Sequence, residues 1–321
     1  MGYAALTAFI EKDRVPPAGI VVTAVLPGGC PLNCAFCIVN QRDERREQSY
    51  LSADHLTAIL SSLERRGLLG GAAVAGDEPL QTHVWPMAKA FLDRALKSNV
   101  PTALITNGYN LVDFIEELRS LTNTKIVVSL DAASDKHDEI RRKPGAFARI
   151  LQGLDAAASH PDLRARLSIA TILMPGNLTD IRDLISFTAF HQIPQLLVSP
   201  LLTSSRTTPL TVHPRILRDA WRDLPALRAE AHAAGIKFRV SDEFAMLGPW
   251  EEKLAATGVE ILSPKEPARL IRIDAAGRVE TLASMQAGTT TGLQLPTDVD
   301  QIDAFAGALV DRCFAPVEVA A

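Results

Sequence analysis

Two kinds of apolar pattern alternate along the chain between residue 18 and about residue 200. Short β-rich runs predict strands at residues 20–26, 72–75, 102–106, 125–130, 168–173 and 195–199. Longer segments with apolar residues at helical spacing predict helices at residues 54–66, 84–98, 111–121, 146–158 and 180–191. Ser52 and Thr179 precede the first and the last of these helices, and each is expected to be an N-cap.

The repeated strand–helix units predict an α/β fold with parallel strands joined by right-handed crossovers. Six such units are too few to close an eight-unit barrel. We therefore expect a partial (β/α)6 TIM-like barrel. Functional residues should then lie at the carboxyl ends of the strands, where parallel strands present their loops.

The pattern changes after residue 200. Residues 201–214 are polar and rich in Ser, Thr and Pro, which predicts a loop; a helix is expected at residues 215–234 and a short strand at residues 237–240. Two alternating runs around residues 274–277 predict a hairpin, and residues 300–313 predict a final helix. We therefore expect an N-terminal segment (1–17), the barrel (18–200) and a small α+β C-terminal appendage (201–321) over the barrel mouth.

Composition narrows the class of protein. The 321 residues are 47% hydrophobic and 22% charged, with a formal net charge of -4, which gives no electrostatic case for a nucleic-acid or membrane-surface partner. No apolar run is long enough to cross a bilayer, and the N-terminus does not have the pattern of a signal peptide. Four cysteines in so long a chain are not a disulfide framework. These features predict a cytoplasmic enzyme in a reducing compartment.

Three of the four cysteines lie close together, directly after the first predicted strand. Cys30, Cys34 and Cys37 have the spacing C-x3-C-x2-C, and no fourth ligand for a structural zinc ion lies nearby. A [4Fe–4S] cluster held by three thiolates keeps one iron open for a small molecule. We expect these cysteines to bind such a cluster. A zinc- or cluster-bearing binding protein without turnover is the alternative from another class.

Residues 30–37, CPLNCAFC, resemble the cluster loop of the radical S-adenosylmethionine (radical SAM) enzymes, including the aromatic Phe36 before the third cysteine. The resemblance implies that SAM binds the open iron through its amino and carboxylate groups. It further implies that one electron cleaves SAM to a 5′-deoxyadenosyl radical, which abstracts hydrogen from a substrate. An electron donor such as flavodoxin or ferredoxin is the expected partner.

Further matches to this family follow in order at later strand ends. Gly76, Asp77, Glu78 and Pro79 resemble the family's GGEP segment, although Asp77 stands where the second glycine would be. The resemblance implies that this segment holds the SAM amino group, since carbonyls and a carboxylate suit an ammonium. Asn107 belongs to a segment, ITNG, that resembles the TNG sequence after the third strand.

The fourth predicted strand ends in SLD and is followed by HDEIR, which together resemble another signature of the family. The resemblance implies a SAM contact for Ser129 and Asp131, and a carboxylate contact for Arg141. His137 is equally compatible with catalysis and with the surface of a helix start. The expected adenine and ribose contacts follow the fifth and sixth strands, at Asn177 and Ser199.

The C-terminal hairpin resembles the extension of the SPASM and twitch types, which carries auxiliary iron–sulfur clusters. Where a cysteine would follow the hairpin, the sequence reads TLAS, and Cys313 is the only cysteine left in this region. One thiol does not hold a second cubane, so we expect a redox-neutral reaction such as epimerisation, elimination or decarboxylation. Cys313 is either a hydrogen-atom donor to a substrate radical or one more residue of an apolar helix stripe.

The substrate class is predicted only by analogy. The short N-terminal segment argues against a large peptide substrate, and short radical SAM enzymes of antibiotic biosynthesis act on small metabolites. We therefore expect a small polar metabolite, such as an amino sugar or a nucleoside in natural-product biosynthesis. A peptide epimerase or cross-linking enzyme is the alternative.

Overall fold

The structure is a computed structural model that describes residues 19–34, 36–37, 50–174, 177, 179–201, 214–242, 247–248, 250–263 and 269–314. For residues 214–221, 250 and 313–314 the structure describes the backbone and not the side chains. Within these ranges, helices and strands alternate along most of the chain. The C-terminal part is described far enough to place its strands and its last helix.

One sheet organises the fold. Its strands are β1 (Ile20–Leu26), β2 (Leu69–Gly76), β3 (Thr102–Thr106), β4 (Thr124–Ser129), β5 (Leu167–Leu173), β6 (Gln195–Pro200), β7 (Lys237–Ser241), β8 (Glu260–Leu262), β9 (Leu270–Ile273), β10 (Arg278–Thr281) and β11 (Leu293–Gln294). The order across the sheet is β11-β10-β9-β1-β2-β3-β4-β5-β6-β7-β8. Neighbours from β9 through β1 to β8 are parallel, whereas β9–β10 and β10–β11 are antiparallel.

The helices fill the crossovers between these strands. They are α1 (Ala53–Arg65), α2 (Trp85–Lys97), α3 (Ile115–Ser120), α4 (Lys136–Arg141), α5 (Ala146–Ala158), α6 (Pro161–Arg164), α7 (Ile181–Phe190), α8 (Pro214–Ala233), α9 (Trp250–Ala256), α10 (Leu282–Gln286) and α11 (Ile302–Phe314). Short 3₁₀ turns at Leu111–Phe114 and Val299–Gln301 precede α3 and α11. No helix in the described ranges is both long enough and apolar enough to pass through a lipid bilayer.

The strand–helix alternation and the partial TIM-like fold class are confirmed, with a sheet larger than expected. The six predicted strands correspond to β1–β6, and β7 and β8 continue the parallel series beyond them. Ser52 caps α1 by accepting a hydrogen bond from the His55 amide, as predicted. The prediction for Thr179 is wrong, because α7 begins after Asp180, and that N-cap residue makes no side-chain cap bond.

The two faces of the sheet carry different side chains. On β2, Ala72 and Val74 belong to the main core under the helices, whereas Ala73 and Ala75 face the other way. Alternate residues of a strand point to opposite faces, so each strand supplies both layers. The second layer consists mostly of small or branched residues from several strands: Ala73, Ala75, Ala103, Ile105, Val127, Ala170, Leu197 and Leu262. Small side chains on this face leave room at the carboxyl ends of the strands.

The predicted C-terminal hairpin is present, and it joins the same sheet. β9 pairs in parallel with β1, from Val21 opposite Leu270 to Ala24 opposite Ile273. The last helix, α11, packs on α1, where Asp303 Oδ1 accepts hydrogen bonds from Ser62 Oγ and Arg66 Nη1. The strands after residue 201 therefore extend the sheet at both of its edges. The division of the chain at residue 200 stays a prediction.

Candidate active site

A pocket opens at the carboxyl ends of β1–β4, where the topology places the loops that carry the sequence motifs. Its lining consists of Cys30, Leu32, Cys34, Phe36, Cys37, Ala75, Gly76, Asp77, Glu78, Ile105, Thr106, Asn107, Ser129 and Arg141. The three motif cysteines thus share one pocket with residues from three later strand ends. This is the arrangement expected when parallel strands present their loops at a single edge.

The cysteine loop lies against an apolar wall. Leu32, Cys34 and Phe36 are buried and pack with Ile172 and Met174 from the end of β5. The loop is also bonded along its backbone: the amide of residue 33 donates to the carbonyl of residue 141 at 3.2 Å, and that of residue 37 donates to the carbonyl of residue 34 at 3.2 Å. The wall keeps water from one side of the thiols.

Burial opposes ionisation of two of the pocket thiols, Cys30 and Cys34. Desolvation raises the pKa of Cys30 to about 12, and it also raises the pKa of Cys34, against the opposing effect of Arg141. The Asn107 Nδ2 donates to Cys30 Sγ at 3.2 Å, and Arg141 Nη1 lies 4.0 Å from Cys34 Sγ. Both donors favour a thiolate, and ligation to a metal centre deprotonates a thiol outright.

Glu78 is the buried centre of the second strand end. Its carboxylate accepts hydrogen bonds from Thr106 Oγ1 at 2.6 Å, the Asn107 amide at 2.7 Å and the Leu80 amide at 2.9 Å. Burial raises the pKa of Glu78 to about 7, although these hydrogen bonds oppose the shift. The carboxylate therefore ties the end of β2 to the end of β3. The Glu78 oxygens already accept hydrogen bonds from protein donors. The backbone carbonyls of residues 76–79 are therefore better placed than this carboxylate to accept from an ammonium.

A buried ion pair lies beneath the pocket, next to the thiols. Arg141 Nε donates to Asp131 Oδ2 at 2.6 Å, and both side chains are almost fully buried. Burial alone would raise the pKa of Asp131, but Arg141 and His137 hold it below its ordinary value. The Arg141 Nη2 is buried and has no hydrogen-bond partner among the described residues. Arg141 therefore keeps a donor for an anionic ligand in a pocket that it lines.

His137 lies inside the fold rather than on the surface of α4. It is fully buried, and its Nδ1 accepts a hydrogen bond from the Asp131 amide at 3.1 Å. Burial, together with Arg141, lowers the pKa of His137 to about 4. A neutral imidazole that accepts at Nδ1 carries its proton on Nε2, and this atom has no partner in the described part of the chain.

The structure divides the predicted site residues into two groups. Those that line the pocket are Cys30, Cys34, Cys37, Gly76, Asp77, Glu78, Asn107, Ser129 and Arg141. Ser129 also donates through Oγ to the Thr106 carbonyl at 2.9 Å. Gly76 has φ +129°, and a Cβ there would lie 2.4 Å from the Leu26 carbonyl oxygen, so no larger residue fits against the end of β1.

Four predicted residues are not among those that line the pocket: Asp131, whose carboxylate pairs with Arg141, and Pro79, Asn177 and Ser199. Pro79 is buried beside Glu78, and Ser199 is half-buried on β6. Asn177 accepts at Oδ1 from the Met174 amide and donates through Nδ2 to the Ile172 carbonyl, so its side chain closes the end of β5. The Cys313 side chain lies outside the described residues. The ligand contacts predicted for all of these residues stay predictions.

Two side chains that contact the residues before the cysteine loop were not predicted from the sequence. Gln81 and His83, between β2 and α2, reach back to the carbonyls of Gly28 and Gly29. Neither residue belongs to a motif, and a loop between a strand and a helix has no periodicity to interpret. Only the spatial order of β1 and β2 places them beside the cysteines.

The donor set fits an iron–sulfur cubane. In the described ranges, no group of three or more His, Cys, Asp or Glu residues is arranged around a single metal ion. In a cubane each thiolate binds a different iron atom, so the sulfur atoms stand farther apart than around one ion. Three thiols line one pocket, and Asn107 Nδ2 and Arg141 Nη1 approach two of them, so the donors suit thiolates that share one cluster.

A comparison with protein-family models matches the radical SAM superfamily over residues 25–188, which is more than half of the chain. The chain belongs to the radical SAM superfamily. Membership implies a [4Fe–4S] cluster and S-adenosylmethionine as its cofactors. The match covers the cysteine loop and the strand ends that form the pocket.

Curated radical SAM relatives match about half of the chain or less. An AdoMet-dependent heme synthase of Methanosarcina barkeri is 31% identical over 135 residues, which cover 40% of this chain and 36% of that protein. A GTP 3′,8-cyclase of Rhizobium leguminosarum bv. trifolii is 24% identical over 161 residues, covering 49% of this chain and 46% of that protein. The chain thus spans less than half the length of these curated relatives.

Solved radical SAM structures match far more of the fold. Streptococcus suis SuiB bound to S-adenosylmethionine superposes with a TM-score of 0.66 at 15% identity, over 93% of this chain and 68% of SuiB. Native anSMEcpe with bound AdoMet gives a TM-score of 0.59 at 14% identity, over 81% of this chain and 74% of that one. These similarities show the fold, and they extend past β6 into the C-terminal part of the chain.

Proposed function

We propose that this radical SAM enzyme carries out a redox-neutral hydrogen-abstraction reaction on a small polar metabolite. The observation that carries the proposal is the contrast in cysteine content between the pocket and the C-terminal region. The pocket has three thiols, whereas the C-terminal region has Cys313 alone, and one thiol does not hold an auxiliary cluster. In an epimerisation, elimination or decarboxylation whose substrate radical regains a hydrogen atom, the substrate loses no electrons overall, so no second redox centre is needed to accept them.

In this proposal Cys30, Cys34 and Cys37 hold the cluster, which supplies the electron that cleaves SAM. Asn107 and Arg141 stabilise two of the thiolates by hydrogen bonding and by charge. Arg141 offers its remaining buried Nη2 to the carboxylate of SAM. The backbone around Gly76 and Asp77 accepts from the SAM ammonium.

The proposed substrate is a small polar molecule such as an amino sugar or a nucleoside. Support comes from the curated relatives, whose names refer to a nucleotide and to heme, and from analogy with short radical SAM enzymes of antibiotic biosynthesis. A peptide is the second candidate, because SuiB was also solved with its precursor peptide SuiA and shares most of the fold. A flavodoxin or a ferredoxin is the proposed electron donor.

The test begins with radical chemistry. The protein is reconstituted anaerobically with iron and sulfide, and SAM and dithionite are added while 5′-deoxyadenosine is monitored. We expect 5′-deoxyadenosine from the wild type and none from the Cys34→Ala variant. A preparation that holds four irons per chain and does not cleave SAM would contradict the proposal.

The second step separates the substrate and reaction classes. The active enzyme is incubated with fractionated small metabolites and with short peptides, and the products are followed by mass spectrometry in H2O and D2O. Epimerisation leaves the mass unchanged in H2O, whereas elimination or decarboxylation removes a neutral molecule. A product lighter by two hydrogens, formed without consumption of reductant, would contradict a redox-neutral reaction.

A further inference from the structure

Side chains of the loop between β2 and α2 form hydrogen bonds with the backbone of the two glycines that precede the first cysteine. Asp77 Oδ2 accepts a hydrogen bond from the Gly29 amide at 2.7 Å. Gln81 Nε2 donates to the Gly29 carbonyl at 2.8 Å and to the Gly28 carbonyl at 3.2 Å. His83 Nε2 lies 3.0 Å from the Gly28 carbonyl oxygen. Three side chains from one loop therefore bind two consecutive residues of another.

These two glycines have backbone conformations that other residues rarely adopt. Gly28 has φ +138° and Gly29 has φ +77°, and a Cβ on Gly28 would lie 2.2 Å from Val84 Cγ2. Glycine reaches such conformations at low steric cost, but it also loses more conformational freedom than other residues when it is fixed. These two glycines join the end of β1 to Cys30. If their backbone dihedral angles vary, the position of the Cys30 thiol varies with them.

The carboxylate at position 77 is a departure from the GGEP-like segment, in which a glycine stands at this point. A glycine has no side chain to accept the Gly29 amide. The neighbouring Glu78 points in the other direction, to Thr106 and Asn107 at the end of β3. The two consecutive carboxylates thus bind opposite neighbours of β2 in the sheet.

We propose that Asp77 and Gln81 form a clamp on Gly28 and Gly29 that holds Cys30 in its cluster-binding position before the cluster is bound. Asp77 is thus a positioning residue for the cluster loop. The inference rests on the proposed role of Cys30 as a cluster ligand. Preorganisation of the loop lowers the conformational cost of binding and slows loss of the cluster.

The clamp predicts a difference between two variants of the same residue. Asp77→Ala removes the acceptor of the Gly29 amide, whereas Asp77→Asn keeps an oxygen at the same place. Hydrogen bonds to charged groups are stronger than those between neutral groups, so loss of this one should speed release of iron by about tenfold or more. We expect Asp77→Asn to stay within about threefold of the wild type, since a neutral acceptor retains part of that energy.

The first measurement is the anaerobic rate at which the reconstituted full chain releases iron to a ferrous chelator. The matched control is Asp93→Ala, which removes a half-buried carboxylate of α2 that pairs with Lys89 along the same helix. Faster release in Asp77→Ala, with near wild-type rates in Asp77→Asn and Asp93→Ala, supports the clamp. Equal rates in Asp77→Ala and the wild type overturn it.

The second measurement, amide hydrogen exchange on the cluster-free full chain, does not depend on the enzyme's activity. We expect Asp77→Ala to raise exchange in a peptide covering residues 27–34, with the unfolding midpoint unchanged. Faster exchange throughout the chain, with a lower unfolding midpoint, would overturn the positioning role and make Asp77 a residue of general stability. If wild-type protein binds no iron, the cluster assignment fails, while the exchange result still decides whether the clamp exists.

Discussion

The active-site pocket and the C-terminal hairpin both bury charged side chains, but they use them differently. In the pocket, Arg141 pairs with Asp131 and still has a buried donor without a partner in the described chain. In the hairpin, Arg272 contacts both Glu280 at 2.9 Å and Asp274 at 3.8 Å. Arg141 thus faces a cavity that a ligand can enter, whereas Arg272 faces two carboxylates of the hairpin itself.

The hairpin turn is held by the carboxylate of Asp274. Asp274 Oδ1 accepts from the amides of Ala276 and Arg278, and its Oδ2 accepts from Arg278 Nε at 2.8 Å. After β10, Thr281 and Ser284 form a reciprocal capping box that starts α10. This capping box falls within residues 281–284, the segment in which the resemblance to the SPASM and twitch types led us to expect a cysteine. The comparison teaches that the polar side chains of the hairpin bond its own turn and the start of the next helix, whereas those of the pocket surround a cavity.

The largest difference between the two regions is expected when a cysteine of each is replaced. Cys34→Ala removes one of three ligands, so we expect loss of most of the iron and of all 5′-deoxyadenosine formation. Cys313→Ala should keep the iron content and SAM cleavage of the wild type. Iron and sulfide analysis with product chromatography measures both. Loss of iron in the Cys313 variant would show that the C-terminal region supplies a ligand.

A smaller effect is expected from the buried ion pair. Arg141→Leu leaves the Asp131 carboxylate buried and unpaired, which should lower the free energy of unfolding by about 3–5 kcal/mol. Arg182→Leu breaks the exposed pair with Glu230 and should lower the free energy of unfolding far less, because solvent screens that pair. Urea unfolding of both variants makes the comparison. A similar loss in the two would mean that burial does not distinguish the pocket pair.

Because of His137, the free energy of unfolding should decrease as the pH is lowered. Its pKa is about 4 in the folded chain against an ordinary value of 6.5, so the unfolded chain binds more protons between these values. The stabilisation is complete above pH 6.5 and is lost as the pH falls towards 4, by up to about 3 kcal/mol.

The variant His137→Asn tests this dependence, because it keeps an acceptor for the Asp131 amide and cannot titrate. Unfolding free energies between pH 4 and 7 should fall less steeply on acidification in this variant than in the wild type. Glu78, with a folded pKa of about 7, acts in the opposite sense: its contribution is lost as the pH rises. Since Glu78 is present in both proteins, its effect cancels. Identical slopes would contradict the prediction, and His232→Asn, at an exposed helix position, is the control.

The smallest effect is expected at the hairpin. Thr281→Ala removes the capping box of α10 and should lower the free energy of unfolding by about 1 kcal/mol. Thr281→Ser keeps the hydroxyl and should stay close to the wild type. Iron content should not change in either variant. A change in iron content would mean that the hairpin and the pocket are coupled.

Sequence patterns predicted most of the central fold because its strands are short apolar runs between amphipathic helices. β1 and β3 were predicted with their observed bounds, and the glycine at the hairpin turn marked β9 and β10. The pairing of β9 with β1 was not predicted, since periodicity carries no information about which distant strands are neighbours. β8 was missed because three residues, Glu260–Leu262, are too few to show a period.

The candidate site was predicted as a set of motif residues, and its geometry was not. Cys30, Cys34 and Cys37 could be proposed as ligands from spacing alone. The burial of His137 could not, because the sequence of α4 does not distinguish a surface histidine from one that accepts the Asp131 amide. Likewise, the contact of Asp77 with Gly29 depends on how the β2 loop folds back over β1.

The parallel pairing of β9 with β1 also bears on how the chain is made. β1 is synthesised before β2–β8, but its partner β9 follows only after these strands have been made. Until then β1 has one open edge, and such an edge can pair with other chains. Contacts this distant in sequence also form slowly. The strand that leads into the cluster loop is therefore completed late, and protection of the nascent chain should raise the yield of folded enzyme.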